Sequence, residues 1–266
     1  MSRQQVKLPR AMQPVIAVMR LMLNLGQEEM VFRLLHMGEG QRHSFFKGYT
    51  LSEHDVVVAT LARSGTHWMM QIALQIIHRG NADYDYLYDI VAWPEYIAGE
   101  SLPLADPPPP SPTGYRLIKT HLKAEYVPYT SEAKYITVVR DPKEVFVSSY
   151  HFIDSALGWV GNFDITPDEW FDLFFKPHFP FGNWAEHTAG WWALRDRPNV
   201  LVIPFNLLKA DLSVQVNAVA QLLGVALNSA ERAEVWHKAS FGYMKNINHK
   251  FSPIFPNHQE MQVIRT

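Results

Sequence analysis

A short polar turn in this sequence has the residue types of an anion-binding loop. Arg63, Ser64, Gly65 and Thr66 follow the β-branched run at 56–58. They supply a fixed cation, two hydroxyls and a residue without Cβ that lets the backbone approach a ligand closely. A helix that begins here would add unpaired amides and partial positive charge. An ordinary strand-to-helix turn with a Ser or Thr cap explains the turn equally well, and the Gly-Lys-Ser/Thr ending of a Walker A loop is absent.

Two other strand-like runs lead to residues that can do chemistry. The run 115–119 leads to His121, and the run 134–139 leads to Arg140. Alone, the histidine could be a satisfied core imidazole and the arginine a member of a surface pair. Because the carboxyl ends of parallel strands meet at one edge of a sheet, we expect both residues to converge with Arg63. Such convergence favours an anion site over an ordinary turn.

The order of the predicted elements indicates an α/β fold in a single domain. Strand patterns alternate with helical ones, which predicts right-handed crossovers and a mainly parallel central sheet flanked by helices. Residues 1–50 are predicted to form a helical lead-in packed on the domain, and residues 51–266 to form the domain itself. The predicted strands lie at 56–58, 115–119, 134–139 and 199–203, and the predicted helices at about 66–79, from 142 onward and at 185–195.

Composition excludes several functional classes. The net charge of −2 gives no overall field for nucleic acid. The chain has no cysteine, which excludes disulfides, thiolate metal sites and a thiol nucleophile, and is compatible with the cytoplasm. No uncharged run of about 18 residues is present, so we expect no transmembrane segment. The helical apolar pattern at 15–23 favours packing on the domain or a partner over docking on a membrane surface. A homodimer is compatible with the sequence, which leaves the oligomeric state open.

Together these segments resemble the sulfotransferases that use 3′-phosphoadenosine 5′-phosphosulfate (PAPS), most closely the cytosolic branch. Residues 63–68, Arg-Ser-Gly-Thr-His-Trp, are similar to that family's 5′-phosphosulfate loop, and residues 140–152 are similar to its 3′-phosphate segment. Residues 119–122, Lys-Thr-His-Leu, are similar to the segment with the catalytic histidine. The resemblance implies a P-loop-NTPase-like sulfotransferase fold. It also implies transfer of a sulfuryl group from PAPS to a hydroxyl or amine of a small or lipid-like acceptor, with release of PAP.

The resemblance implies a role for each matching residue. His121 would be the general base, and Arg63 and Lys119 would stabilise the sulfuryl and bridging oxygens as the nucleotide leaves. Cationic side chains would act in place of a metal, so none is expected. The implied donor-binding residues are Arg63, Ser64, Gly65, Thr66, His67, Trp68, Arg140, Ser148, Ser240, Phe241 and Arg265. Within this set, Arg140 and Ser148 would hold the 3′-phosphate, and two aromatic rings, Trp68 and Phe241, would enclose the adenine.

The sequence departs from the family pattern at several positions. Arg63 stands where the cytosolic branch has lysine, and His67 stands where the family often has threonine. Phe205 replaces a tyrosine and Ala239 a threonine. Arg265 matches the first residue of the Arg-Lys-Gly segment that closes the family's donor pocket. Because the sequence stops one residue later, we expect the C-terminal end of the donor site to be incomplete.

Two alternative functions remain open from the sequence. The first is a nucleotide-binding or interaction module of the same fold that has lost turnover, in keeping with the departures just described. The second is a P-loop kinase, which the missing Gly-Lys pair disfavours. PAPS-dependent transfer is the leading hypothesis because it accounts for both anion-binding motifs and for the histidine.

Two aromatic segments bear on the acceptor. Residues 83–89, rich in tyrosine and aspartate, are interpreted as an exposed polar loop rather than as the mouth of a substrate site. A second group could form an apolar lid over a hydrophobic acceptor or could be helix core. Its members are Trp159, Phe163, Trp170, Phe171, Phe174, Phe175, Phe179 and Phe181.

Overall fold

A four-stranded parallel sheet forms the centre of the structure. The computed structural model describes residues 13–96, 101–107, 110–153, 157–158 and 160–251. The strands are β1 (Asp55–Ala59), β2 (Arg116–Thr120), β3 (Lys134–Val139) and β4 (Val200–Pro204), in the order β2-β1-β3-β4. The predicted parallel α/β fold is confirmed, and each predicted strand lies within one residue of its observed bounds.

Helices cover the sheet and precede it. Before β1 come α1 (Gln13–Asn24), α2 (Glu28–Leu35) and α3 (Glu39–Ser44), and α4 (Thr66–Ile77) follows β1. Between β3 and β4 lie α5 (Pro142–Tyr150), α6 (Pro167–Phe174) and α7 (Trp184–Trp192). After β4 come α8 (Phe205–Ala210), α9 (Leu212–Leu222), α10 (Ser229–Ala239) and α11 (Phe241–Asn246). Short 3₁₀ turns lie at Leu87–Asp89, Ala124–Tyr126 and Asn248–Phe251. No described helix has both the length and the apolar character needed to cross a bilayer.

The strand order places two loops side by side. The chain runs from β1 to β2 on one side of the sheet and then to β3 on the other side of β1. Ligands of parallel α/β sheets bind outside the carboxyl ends of the strands at such a reversal. The loop after β1 carries Arg63 and Gly65, and the loop after β3 carries Arg140. The topology therefore brings the two arginines to the same crevice.

The strand β1 is buried on both faces. Val56 and Val58 pack into a cluster that includes Ile72 of α4, whereas Val57 packs on the opposite face with Trp191 of α7. Successive side chains of a strand point to opposite faces, and a central parallel strand covered on both sides is apolar throughout. The loop after β1 therefore rests on a rigid support.

The aromatic residues assigned to a lid or to helix core divide between core and surface. Phe163, Trp170, Phe174 and Phe179 are buried in a cluster with residues of α1 and α2. Phe171 and Phe175 are exposed, Phe181 packs against the cluster, and Trp159 lies outside the described residues. Much of this group is thus core between the N-terminal helices and α6.

The tyrosine-rich segment 83–89 is not a simple exposed loop, so that interpretation was wrong for its tyrosines. Tyr84 and Tyr88 are buried, whereas Asp83, Asp85 and Asp89 are exposed. The hydroxyl of Tyr84 donates to Gln71 Oε1 of α4 at 2.7 Å. The segment therefore forms part of the wall behind β2 and α4.

Candidate functional site

A cavity of about 800 Å³ opens at the carboxyl ends of β1 and β3. Its walls come from the loop after β1, from α4 and α5, and from the segments after β4. The lining residues are Arg63, Gly65, Thr66, His67, Trp68, Arg140, Lys143, Glu144, Val147, Ser148, His151, Phe205, Lys209, Phe241 and Met244. Most of the predicted donor-binding residues therefore face one space. Of the others, Ser64 is buried and Arg265 lies outside the described residues, as does the end of the chain expected to close the pocket.

The loop after β1 presents the start of α4 to the cavity. Gly65 is the N-cap residue, with a left-handed φ of 90°, and its carbonyl accepts the first helical bond from the Met69 amide at 3.0 Å. A Cβ on Gly65 would lie 2.8 Å from the ring of Phe205. The hydroxyls of Thr60 and Thr66 are 2.5 Å apart and tie the helix start to the end of β1. The amides of the first helical turn, which have no acceptor within the helix, are thus held at the cavity wall.

Arg63 links this loop to α5. Its Nε donates to Ser148 Oγ at 3.1 Å, and its guanidinium lies 3.9 Å from the ring centroid of Phe152. Its φ of 69° is in the left-handed region. An arginine held in this uncommon conformation directs its charge across the cavity towards α5. The structure therefore places the loop arginine beside the predicted 3′-phosphate serine.

Arg140 bridges the two sides of the cavity. Its Nη1 donates to the carbonyl of Arg63 at 2.7 Å, and its Nε donates to Glu144 at 2.9 Å. Lys209 contacts the other oxygen of the same carboxylate at 3.2 Å. The hydrogen bond from Arg140 holds the pKa of Glu144 below its usual range. The guanidinium also stacks 4.4 Å from the Phe205 ring centroid, so one planar cation is oriented by three neighbours.

Aromatic side chains border the far part of the cavity. The indole N–H of Trp68 donates to the carbonyl of Ala239 at 2.8 Å, and its ring meets Phe205 edge-on at 6.2 Å. Phe241 also lines the cavity and is 37% exposed. Ser240 lies beside them as the N-cap of α11, where its hydroxyl accepts the Tyr243 amide at 3.3 Å. Flat apolar rings of this kind can stack on a base.

Two hydrogen bonds hold His121, one through its ring and one through its backbone amide. Its Nδ1 lies 2.7 Å from the carbonyl of Thr60, which can only accept, so Nδ1 carries the proton and Nε2 is the basic nitrogen. Its amide donates to Glu95 Oε1 at 2.5 Å. Burial lowers the pKa of His121 well below 6.5, and the charge of Lys119 lowers it further. The imidazole is therefore a neutral base of fixed orientation.

Lys119 lies behind the cavity rather than on its wall. It is 1% exposed, its Nζ donates to the Tyr88 hydroxyl at 2.9 Å, and the same nitrogen lies 3.0 Å from the ring centroid of Trp93. Burial lowers the pKa of Lys119 well below 10.5, an effect that the nearby Glu95 opposes. Its direct contact with a bound donor stays a prediction, and the contacts observed here are with aromatic side chains.

Three contributors to the site were missed by the sequence analysis. Glu95, which accepts the amide of His121, is 6% exposed, and burial raises its pKa. Tyr88 joins Lys119 to His67, and Lys209 joins Glu144 at the cavity. The alternation of tyrosine and aspartate at 83–89 could have indicated a half-buried segment. Glu95 and Lys209 carry no comparable pattern. Over the described ranges, no group of His, Asp and Glu is arranged to hold a metal ion.

Comparison with protein families gives one domain match. Residues 53–263 match the sulfotransferase domain. Sulfotransferase 2A1 of Macaca fascicularis is 30% identical over 208 residues, which cover 74% of this chain and 68% of that protein. The 3-alpha-hydroxysteroid sulfotransferase of Cavia porcellus is 28% identical over 203 residues, with coverages of 74% and 68%.

Solved structures with the same fold are also found. A retinol dehydratase in complex with retinol and PAP has a TM-score of 0.69 at 22% identity, covering 84% of this chain and 76% of that one. A mouse sulfotransferase, SULT7A1, complexed with PAP has a TM-score of 0.61 at 23% identity, with coverages of 86% and 78%. These similarities confirm the predicted fold.

Proposed function

Because the chain belongs to the sulfotransferase family, we propose that it moves a sulfuryl group from PAPS to a hydroxyl group of a small apolar acceptor, with His121 as general base. The family predicted from the sequence is confirmed, and so is its class of reaction. The observation that carries the proposal is the cavity, in which a helix-capping loop and two arginines face the same space beside a neutral histidine. We assign residues 51–266 to the sulfotransferase domain, in keeping with the family match at 53–263.

The cavity offers a place for each end of the donor. In this proposal the 5′-phosphosulfate lies against the first-turn amides that follow Gly65, where the helix dipole favours an anion. Arg140 and Ser148 hold the 3′-phosphate, and the adenine lies between Trp68 and Phe241. PAP, the product of the predicted donor, is present in similar solved structures, which supports this nucleotide.

The proposed reaction needs charge stabilisation more than covalent help. As the acceptor oxygen bonds to sulfur, the S–O bond to the nucleotide breaks, and negative charge grows on the leaving phosphate. Preorganised cations and amides stabilise such charge effectively because they need not reorient. In this proposal the helix amides and Arg63, which lines the same cavity, stabilise this charge, while Nε2 of His121 takes the proton of the acceptor hydroxyl.

The surroundings of His121 support an apolar acceptor. Trp93 meets the imidazole edge-on at 5.6 Å and stacks on Tyr96 at 4.2 Å. Flat aromatic surfaces beside the base suit an apolar alcohol. The relatives include a hydroxysteroid sulfotransferase, and the fold neighbours include a retinol dehydratase that was solved with retinol and also with androsterone. These names support a ring-containing apolar alcohol as acceptor. An amine is the less supported acceptor.

A cytoplasmic location is part of this proposal, supported by the complete lack of cysteine. A homodimer stays a prediction. The family match favours sulfuryl transfer over a P-loop kinase. A nucleotide-binding module without turnover is distinguished from an enzyme by assay alone.

The proposal is tested by a transfer assay with ³⁵S-labelled PAPS and a panel of sterols, retinoids, phenols and sugars. We expect labelled product with at least one apolar alcohol and a rise in melting temperature with PAP. Stabilisation by PAP without transfer to any member of the panel would favour the non-catalytic module. Stabilisation by ATP, with none by PAP, would contradict the assignment of the cavity.

A further inference from the structure

His67 lines the cavity and is held by a hydrogen bond to Tyr88, which does not line it. Its Nε2 lies 3.0 Å from the hydroxyl of Tyr88, and the same hydroxyl accepts a hydrogen bond from Lys119 Nζ at 2.9 Å. His67 lines the cavity next to Thr66. A three-residue chain thus runs from a buried lysine through a phenol to the wall where the donor is proposed to bind.

The direction of the hydrogen bonds in this chain follows from the chemistry of its members. Burial raises the pKa of Tyr88 well above 10, so the phenol keeps its proton. Since Lys119 already donates to this oxygen, the phenol proton goes to an acceptor, and His67 Nε2 stands at hydrogen-bond distance. His67 is therefore the tautomer that carries its proton on Nδ1.

We propose that His67 is a further catalytic residue, which donates a hydrogen bond from Nδ1–H to the oxygen between phosphorus and sulfur of PAPS as that oxygen becomes the leaving group. Tyr88 and Lys119 are positioning residues that act through it. This inference rests on the proposed function. It assigns a specific atom and tautomer to the position where the sequence has histidine instead of the threonine usual in the family.

The electrostatic surroundings favour a neutral imidazole. Burial lowers the pKa of His67 well below 6.5, and the neighbouring Lys119 and Arg63 lower it further. The imidazole contacts Tyr88 and lies 5.6 Å from the ring centroid of Phe251. Among the described residues no hydrogen bond to Nδ1 is formed, and His67 is one of the residues that line the cavity. A neutral imidazole N–H can stabilise a developing oxyanion without binding the dianionic product as tightly as a cation would.

The arrangement gives a division of work between two histidines. His121 has its Nδ1–H on the Thr60 carbonyl and offers a basic Nε2. His67 has its Nε2 on Tyr88 and offers Nδ1–H. In each imidazole one nitrogen is held by a hydrogen bond within the fold. The other nitrogen is a base for the substrate hydroxyl in His121 and a hydrogen-bond donor to the leaving oxygen in His67.

Two isosteric substitutions separate this role from a structural one. Asparagine places an amide N–H near the position of Nδ1, whereas glutamine places its amide near Nε2. If Nδ1–H contacts the donor, we expect kcat to fall about 100-fold in His67→Gln and less than about 10-fold in His67→Asn. If His67 only fills space and bonds Tyr88, glutamine retains more activity than asparagine, which would overturn the inference. Melting temperatures measured with and without PAP verify that both variants are folded.

A third variant tests the relay from behind. Tyr88→Phe keeps the ring that covers Lys119 but removes the hydroxyl that fixes the tautomer. We expect kcat to fall about 10-fold and the affinity for PAP to fall by less than that, because the wrong tautomer presents an acceptor to the leaving oxygen. An unchanged kcat in Tyr88→Phe would remove Tyr88 and Lys119 from the inference.

Different results would contradict the proposed function and the proposed role of His67. If the wild-type protein transfers no sulfate to any acceptor, the proposed function fails, and calorimetry with PAP then judges the His67 contact by itself. A loss of PAP affinity of about 10-fold in His67→Gln but not in His67→Asn would retain Nδ1 as a donor contact. Equal affinities would overturn it. Transfer by the wild type with equal kcat in both variants would overturn the inference and leave the proposed function intact.

Discussion

The donor side of the cavity and the His121 side hold their charges in different ways. On the donor side, Arg140 and Lys209 share the carboxylate of Glu144, and the side chains of Lys209 and Glu144 are 49% and 42% exposed. On the other side, Lys119 and Glu95 are 1% and 6% exposed, and burial shifts the pKa of each towards its neutral form.

The difference indicates two tasks. Exposed charges that already have water nearby can exchange a carboxylate for a phosphate at small desolvation cost. Buried groups whose charged forms are disfavoured by desolvation are held in a single hydrogen-bonding arrangement and can orient a proton. We therefore expect substitutions at Arg140, Lys209 and Glu144 to change mainly affinity, and substitutions at the buried groups around His121 to change mainly kcat.

The largest difference between the effect on kcat and the effect on PAP affinity is expected for His121→Ala. Removal of the base should lower kcat by about 10³-fold, because general-base catalysis contributes an effect of this order. The Kd for PAP, measured by calorimetry, should stay within about 3-fold, since His121 does not line the donor cavity. His78→Ala, at the C-terminal end of α4, is the control histidine. A variant with wild-type turnover would show that His121 is not the base.

Gly65→Ala should damage the donor side through packing. Its φ of 90° disfavours any side chain, and the new Cβ would lie 2.8 Å from the Phe205 ring. Gly224→Ala is the matched control, because its φ of 66° is also left-handed but its Cβ would meet nothing within 4 Å. We expect a loss of unfolding free energy of about 1 kcal/mol in the control and about 2–4 kcal/mol in Gly65→Ala, by urea titration. Equal losses would show that the ring contact is relieved without strain.

Arg140→Ala should weaken PAP binding by about 10–100-fold, the effect of losing a charge-assisted phosphate contact. Lys143→Ala, at an exposed position on the same wall, should change affinity by less than about 3-fold.

Glu144→Gln should act in the opposite direction to Arg140→Ala and strengthen PAP binding modestly, because the carboxylate of Glu144 competes with phosphate for Arg140 and Lys209. Titrations with PAP at two salt concentrations measure these affinities. Tighter binding by Arg140→Ala than by the wild type would contradict the 3′-phosphate assignment.

The pH dependence of stability should report the buried histidines. Burial lowers the pKa of His187 from 6.5 to about 3, and lowers those of His67 and His121 as well. Below pH 6.5 these histidines become protonated in the unfolded chain but stay neutral in the folded protein, so the free energy of unfolding should fall as the pH falls. The slope is at most about 1.4 kcal/mol per pH unit for each histidine. The raised pKa of Glu95 contributes with the opposite sign.

Urea titrations at pH 7.5, 6.5 and 5.5 measure this slope. His187→Leu should reduce it by up to one proton, whereas His237→Gln, at an exposed position on α10, should leave it unchanged. A slope that is the same in all three proteins would show that His187 does not remain neutral on folding.

The strands and the anion loop could be predicted because their signals are local. The run 56–58 is apolar and β-branched, and the residues after it are those that a helix start requires. The placement of Lys119 could not be predicted in this way. A lysine near a strand end suggests a side chain that faces ligand, but the neighbouring segment pairs with β2 through Ala92 and Ile118 and brings Trp93 over it.

Glu95 shows a second limit. Glu95 accepts a hydrogen bond from the backbone amide of His121, 26 positions away, and no residue type in the sequence indicates a pairing with main chain. The tyrosine at 88 did have a signal, the alternation with aspartate, which was interpreted from its polarity instead of its period. Tertiary hydrogen bonds to main-chain atoms leave little trace in a single sequence.

The bond from the Trp68 indole to the carbonyl of Ala239 has a consequence for how this site can vary. The two elements that frame the aromatic end of the cavity are joined by a side chain on one partner and by main chain on the other. Substitution at 239 by any residue that preserves the end of α10 retains the acceptor, so the alanine at this position makes the joint as well as a larger residue would. The constraint falls on residue 68, whose indole brings both an aromatic ring to the cavity lining and a donor to that carbonyl.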